Sequence, residues 1–290
     1  MIRFIFVLSI FCKITCFAEY KHQLSVSAIF QDEAPYLKEW IEFHRIVGVE
    51  HFYLYNHLSK DHYQEVLKPY IASGLVQLED KPIVVKNAKE FTELQANCCN
   101  ECLRTANGIS KWVAFIDIDE FLFPVKEQTL LEVINQYSKF GGLAVSWRTF
   151  GTSNIKKIPK DKLLLESLTA CSKKSSPINQ SIKCILMPKC TSHFLNIHEP
   201  ILINGFSLVN TDKMPIEGPS CNSYIQLNKL CINHYWTRDE EYFINKKIPR
   251  QKKWGGKPDA QQILFHLNAE QDTAIFRFVP ALKKAMASPN

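Results

Sequence analysis

From Leu24 onwards, short apolar runs alternate with stretches whose apolar residues recur every three or four positions. Residues 24–30 predict a buried strand. Residues 33–47 predict a helix, with Pro35 in its first turn and Leu37, Trp40, Ile41, Phe43, His44 and Val47 on one face; Gly48 stops it. A strand at 51–55 leads into the polar turn Asn56-His57-Leu58-Ser59-Lys60-Asp61, and a helix at 63–71 ends near Gly74. A strand at 75–78, a helix at 90–105 and a strand at 112–118 follow, the last running straight into acidic residues. Strands alternating with helices predict an α/β, Rossmann-like fold, a mostly parallel sheet covered on both faces. Ligands of such sheets bind beyond the carboxyl ends of the strands. That rule brings Gln31-Asp32-Glu33, residues 56–61 and Asp117-Ile118-Asp119-Glu120 to one rim. Beyond Pro124 the pattern loosens: a helix at 130–137, a strand at 142–147, short strands and turns over 151–230, loops at 172–180 and 211–223, and helices at 239–247 and 261–265. With no internal repeat or low-complexity linker, residues 19–290 are expected to form a single domain, its core at about 24–250.

Composition narrows the class. The chain has 290 residues, 46% hydrophobic and 22% charged, which suits a packed core rather than disorder. The net charge of +6 gathers partly at Lys246-Lys247, Arg250, Lys252-Lys253 and Lys257. Such a cluster reads as a solvated face or as a patch for phosphates, a membrane surface or nucleic acid. No RNA-binding or helix-turn-helix signature accompanies it, so nucleic acid is set aside as a partner. No GxGxxG or P-loop is present either, which removes the phosphate-binding device of dinucleotide dehydrogenases and P-loop NTPases.

Residues 1–18 differ from the rest: Arg3, an apolar run to Cys12, then Lys13 and a second apolar stretch ending at Cys16-Phe17-Ala18. This reads as a signal peptide or a signal-anchor, and either puts the domain in a secretory, extracytoplasmic or membrane-associated setting. Of ten cysteines, eight lie beyond residue 18. Cys99-x-x-Cys102 has metal-ligand spacing but no second pair, so buried packing, or one disulfide to the C-terminal half, is expected instead.

The acidic end of the fourth strand carries the chemistry. In extended chain, residues two apart point the same way, so Asp117 and Asp119 would be presented together. Uncompensated, the two carboxylates repel and resist burial. A hard divalent cation, Mn²⁺ or Mg²⁺, relieves that and can grip a diphosphate leaving group. A bare DxD is otherwise a solvated turn or a cap; here it follows the buried run Trp112-Val113-Ala114-Phe115-Ile116 and precedes Glu120-Phe121-Leu122-Phe123-Pro124.

The stretch from Trp112 through Asp117-Ile118-Asp119 to Phe121 resembles the DxD segment of glycosyltransferase family 92. Asp32-Glu33-Ala34-Pro35, continuing through Trp40 to His44, is similar to that family's first motif, as is His51-Phe52-Tyr53-Leu54-Tyr55-Asn56 with Ser59 and Asp61. Gln95 seven residues before Cys102, Trp147-Arg148-Thr149-Phe150-Gly151, Lys183-Cys184-Ile185-Leu186-Met187-Pro188, and His234-Tyr235-Trp236 with Phe243 and Lys246 extend the match over about 24–250. Three positions depart: Asp32 stands for the usual Asn, and Arg238-Asp239 for the usual Lys-Ser.

The resemblance implies a GT-A fold, a nucleotide-sugar donor such as a UDP-sugar, Mn²⁺ dependence, inversion at the anomeric carbon, and transfer of a hexose, galactose first, to a glycan acceptor. Asp117, Asp119 and His234 become metal candidates. Glu33, Asn56, Asp61, Gln95, Asp117 and Lys183 become donor-binding candidates, against helix caps, turns and surface positions. An inverting transfer needs a general base, for which Glu120, Glu199, Glu217 and Asp239 all stay open. A nucleotidyl- or phosphotransferase would use the same acidic pair, and an inactive GT-A protein could bind carbohydrate without transferring it.

Overall fold

A computed structural model describes residues 20–221 and 225–287. The expected targeting segment, residues 1–18, lies outside them. In chain order the first strands are β1 (His22–Phe30), β2 (His51–Asn56), β3 (Val76–Asp80), β4 (Ser110–Phe115), β5 (Glu120–Pro124) and β6 (Gly141–Thr149). Then come β7 (Ala170–Cys171), β8 (Ile182–Leu186), β9 (Thr191–Asn196), β10 (Glu199–Leu202), β11 (Ser207–Val209), β12 (Leu230–His234) and β13 (Glu270–Gln271). The helices α1 (Ala34–Ile46), α2 (Tyr63–Ala72) and α3 (Ala88–Ala106) connect the first four strands. The main sheet runs β3-β2-β1-β4-β8-β6-β12-β5, with β11 beside β6.

The pairing directions decide where a site can form. β1, β2, β3 and β4 are mutually parallel. β8 runs antiparallel between β4 and β6, which restores β6 to the direction of β4. β12 follows β6, and β5 returns antiparallel along β12. The carboxyl ends of β1, β2, β4, β6 and β12 therefore share one rim with the amino ends of β5 and β8. A Rossmann-like half joined to a mixed half is the expected GT-A arrangement, and β4 is buried on both faces because Trp112, Val113, Ala114 and Phe115 leave no polar side.

Helix α1 fastens this frame to the acidic segment. Trp40 Nε1 donates to the Glu120 carbonyl at 2.8 Å. His44 Nδ1 donates to the Trp40 carbonyl at 2.8 Å, and Nε2 accepts the Leu122 N–H at 3.2 Å. Burial pushes that imidazole down to about 3, so it stays neutral. Gly48 ends the helix at φ +102°, a left-handed conformation open to glycine.

Three features depart from expectation. The fourth strand stops at Phe115, and residues 117–119 form a turn closed by Glu120 N–H donating to Asp117 O at 3.1 Å. Glu120–Pro124, unassigned by the periodicity, is a fully buried strand, since its other side chains are apolar and β12 supplies its ladder. The basic stretch is helical over 240–253 but opens into one π-turn, Phe243–Lys247. The eight cysteines beyond residue 18 are free thiols, and no disulfide joins α3 to the C-terminal half. No helix among the described residues is long and apolar enough to cross a membrane.

Candidate active site

A cleft of about 220 Å³ opens at the shared rim, lined by Gln31 and Glu33 after β1, Gln95 on α3, Asp117 and Asp119 after β4, and His234 at the end of β12. Trp236, Lys247 and Arg250 complete its wall. Of the predicted site residues, the structure brings Glu33, Gln95, Asp117, Asp119 and His234 together here.

The two aspartates do not point the same way, because the turn replaces the extended register. Asp117 meets Lys183, whose Nζ donates to Oδ2 at 2.8 Å. Lys183 is fully buried, and its ammonium also lies 3.5 Å from Glu120 Oε2. Burial works against that charge, but Asp117 and Glu120 outweigh it and raise the lysine above its ordinary range. Asp119 faces the cleft. Lys247 Nζ donates to its Oδ2 at 2.8 Å, and His234 Nε2 stands 3.5 Å from Oδ1. Burial disfavours the Asp119 carboxylate, yet Lys247 and His234 hold it well below the usual range. The acidic pair expected to repel is thus already neutralised by two lysines from distant segments.

Glu120 sits beneath the turn, fully buried. Its Oε2 accepts the Asp117 N–H at 3.0 Å while Oε1 has no partner. Burial lifts it to about 7. Trp147 packs behind the cleft residue His234, its ring 4.4 Å from that of His234 and 5.4 Å from that of His198. His198 was not singled out from the sequence. Burial and the nearby Lys183 push it down to about 4, and its Nδ1 donates to the Ile182 carbonyl at 2.7 Å.

A divalent cation fits this donor set in part. Two carboxylates and an imidazole suit Mn²⁺ or Mg²⁺ better than a soft metal, and His234 Nδ1 is buried without a partner. Among the described residues no three His, Cys, Asp or Glu side chains gather closely enough to hold a metal. Lys183 and Lys247 occupy the carboxylate oxygens for which a cation would compete.

Asn56 and Asp61 lie outside the cleft. Asn56 donates to Tyr63 Oη and to Asp80 Oδ1, both at 2.8 Å. Asp61 Oδ2 accepts the Ala34 N–H at 2.7 Å at the start of α1, and Asp32 exchanges hydrogen bonds with Ser59 and Lys60. These contacts stitch the first two polar clusters together beside the cleft. Glu33 is bound to Arg238, with Nη2 2.6 Å from Oε2. Burial raises its carboxyl in spite of that partner. Among the four base candidates, Asp239 gives both oxygens to the N–H groups of Ile158 and Tyr242. Glu199 accepts from Asn196 at the β9–β10 turn, and Glu217 is exposed on the 211–221 loop. None of these four lines the cleft.

The sequence model of glycosyltransferase family 92 matches residues 20–266. A family 92 protein of Ricinus communis is 26% identical over 234 residues, covering 79% of this chain and 38% of its own. A galactan β-1,4-galactosyltransferase of Arabidopsis thaliana is 31% identical over 132 residues, 42% of this chain and 25% of the relative. The chain thus spans well under half the length of these relatives. Among solved structures, S. aureus TarS (residues 1–349) in complex with UDP aligns at TM-score 0.37 and 14% identity, over 58% of this chain and 47% of that one. With the model spanning β1 to the helix Ala260–Leu267 and both halves of the cleft, the chain belongs to glycosyltransferase family 92.

Proposed function

We propose that the chain transfers a hexose, galactose in the first instance, from a nucleoside-diphosphate sugar to a glycan hydroxyl, with inversion and with Mn²⁺ or Mg²⁺ bound at Asp119 and His234. The observation that carries this reading is the convergence of Asp117, Asp119, His234, Lys247 and Arg250 on one cleft beyond the carboxyl ends of parallel strands. A bound cation would offset the charge that develops on the departing diphosphate. Lys247 and Arg250 supply further positive charge on the same wall, suited to phosphate oxygens. Lys183 neutralises Asp117 and pins the turn that carries both aspartates into the cleft wall. Galactose is favoured because the Arabidopsis relative is named as a galactan β-1,4-galactosyltransferase.

The test is incubation of the full chain with UDP-galactose, Mn²⁺ and β-1,4-linked galactose oligosaccharides, with products read by mass spectrometry. Growth of the acceptor by one hexose, abolished by EDTA, is expected. Transfer of phosphate or of a nucleotidyl group, or no hexose transfer from any nucleotide sugar offered, overturns the reading.

A further inference from the structure

A second cavity lies beyond the carboxyl end of β6, between the loop after β6, the loop after β7 and the end of the helix Ala260–Leu267. Its volume is about 800 Å³, within the range of small-molecule sites. Phe265 stands in its wall with 78% of its surface exposed, an unusual cost for an aromatic ring in water. Around the ring are groups that can donate and accept hydrogen bonds: Asn154, Ser175, Ser176, His266 and Asn268.

The floor is rigid and tied to the first cleft. A side chain at Gly151 would strike Asn268 and come within 2.8 Å of the Leu267 carbonyl, so only glycine lets the two segments approach. Asn268 Oδ1 accepts the Ser153 N–H at 3.0 Å. The Phe150 N–H donates to the His234 carbonyl at 2.9 Å, and Asn179 Oδ1 accepts the Thr149 N–H at 3.0 Å. Both loops that line the cavity are therefore anchored at the rim end of β6, beside the strand that delivers His234 to the donor cleft.

We infer that this cavity is a subsite for a carbohydrate chain, in which Phe265 stacks on the apolar face of a sugar ring some residues away from the reacting end. Sugars present flat C–H faces edged with hydroxyls, and an exposed ring bordered by amides and hydroxyls matches both features. An apolar ligand would bury the Ser175 and Ser176 hydroxyls with nothing to bond, and a purely ionic one would not need the ring. The inference rests on the transfer reading above for the identity of the chain as acceptor.

The test compares the full wild-type chain with Phe265→Ala and Phe265→Trp. Binding of β-1,4-galactobiose and β-1,4-galactotetraose is measured by calorimetry without donor, and KM and kcat for each are measured with donor. For Phe265→Ala the tetrasaccharide is expected to lose on the order of tenfold in affinity, with KM rising to match, kcat little changed and the disaccharide unaffected. Phe265→Trp should restore tetrasaccharide binding. Equal tetrasaccharide KM in wild type and Phe265→Ala, or a Phe265→Ala change in self-association with glycan binding untouched, overturns the subsite. Absence of transfer by the wild type would instead strike the proposed function, and direct binding would then decide the subsite alone.

Discussion

Lys247 and Asp119 are separated by 128 positions in the chain, yet their charges meet at 2.8 Å on the wall of the cleft. The π-turn Phe243–Lys247 carries the lysine there, one extra residue widening the helix at that point. Since the ammonium and a divalent cation compete for one carboxylate, Lys247→Gln should bind Mn²⁺ more tightly in the absence of donor. The same variant should bind UDP more weakly, having lost a cation for its phosphates. Calorimetric titrations with Mn²⁺ alone and with UDP check both signs.

Asp117 and Asp119 should fail differently. Asp119→Asn is expected to abolish Mn²⁺-dependent donor binding. Asp117→Asn should also cost about 1–3 kcal/mol of stability, because it takes a charged hydrogen-bond partner from fully buried Lys183. Glu120 remains 3.5 Å away and limits that loss. Urea melts of the two variants against wild type measure the difference.

His234 lines the cleft and is also packed against Trp147, so His234→Ala should touch both properties. Mn²⁺ affinity should fall, and the melting temperature should drop modestly from the lost ring contact. A lowered melting temperature with unchanged Mn²⁺ and donor affinity would take His234 out of the site and leave it a wall residue.

Acid stability should depend on His44. Its folded value of about 3 lies below the ordinary 6.5, so between these limits the unfolded chain binds the extra proton and stability falls as pH drops. From pH 7 to pH 5 this one group should cost about 2 kcal/mol. Glu39 and Glu120, both lifted to about 7 by burial, act with the opposite sign, losing stability as pH rises from about 4.5 to 7. Comparing the pH slopes of wild type and His44→Gln isolates the histidine. Equal slopes would contradict a buried neutral imidazole.

Much of the first half was legible because its physics is local. The strand and helix periodicities of residues 22–115 need no distant partner to be read, and Gly48 and Gly74 mark their stops. The rim clusters followed from strand direction. What escaped depends on long-range pairing. Glu120–Pro124 looked like the tail of a motif, since its strand state comes from β12, more than a hundred residues on. Lys247 and Arg250 belonged to a basic cluster that read as a solvated face as readily as a phosphate patch, because only the π-turn and the helix 240–253 turn them inward. His198 has no sequence signal at all; the β9–β10 turn alone brings it against Trp147. The acidic pair was found for a sound reason, but its repulsion was misjudged: Lys183 and Lys247, unseen as partners, already balance it.

The most direct measurement is calorimetric titration of UDP-galactose into the full chain with Mn²⁺, with EDTA, and with Mn²⁺ into Asp119→Asn. Binding in the first case and its loss in the other two is the result expected of a cation-dependent donor site at Asp119 and His234. Equal affinity in all three would contradict it.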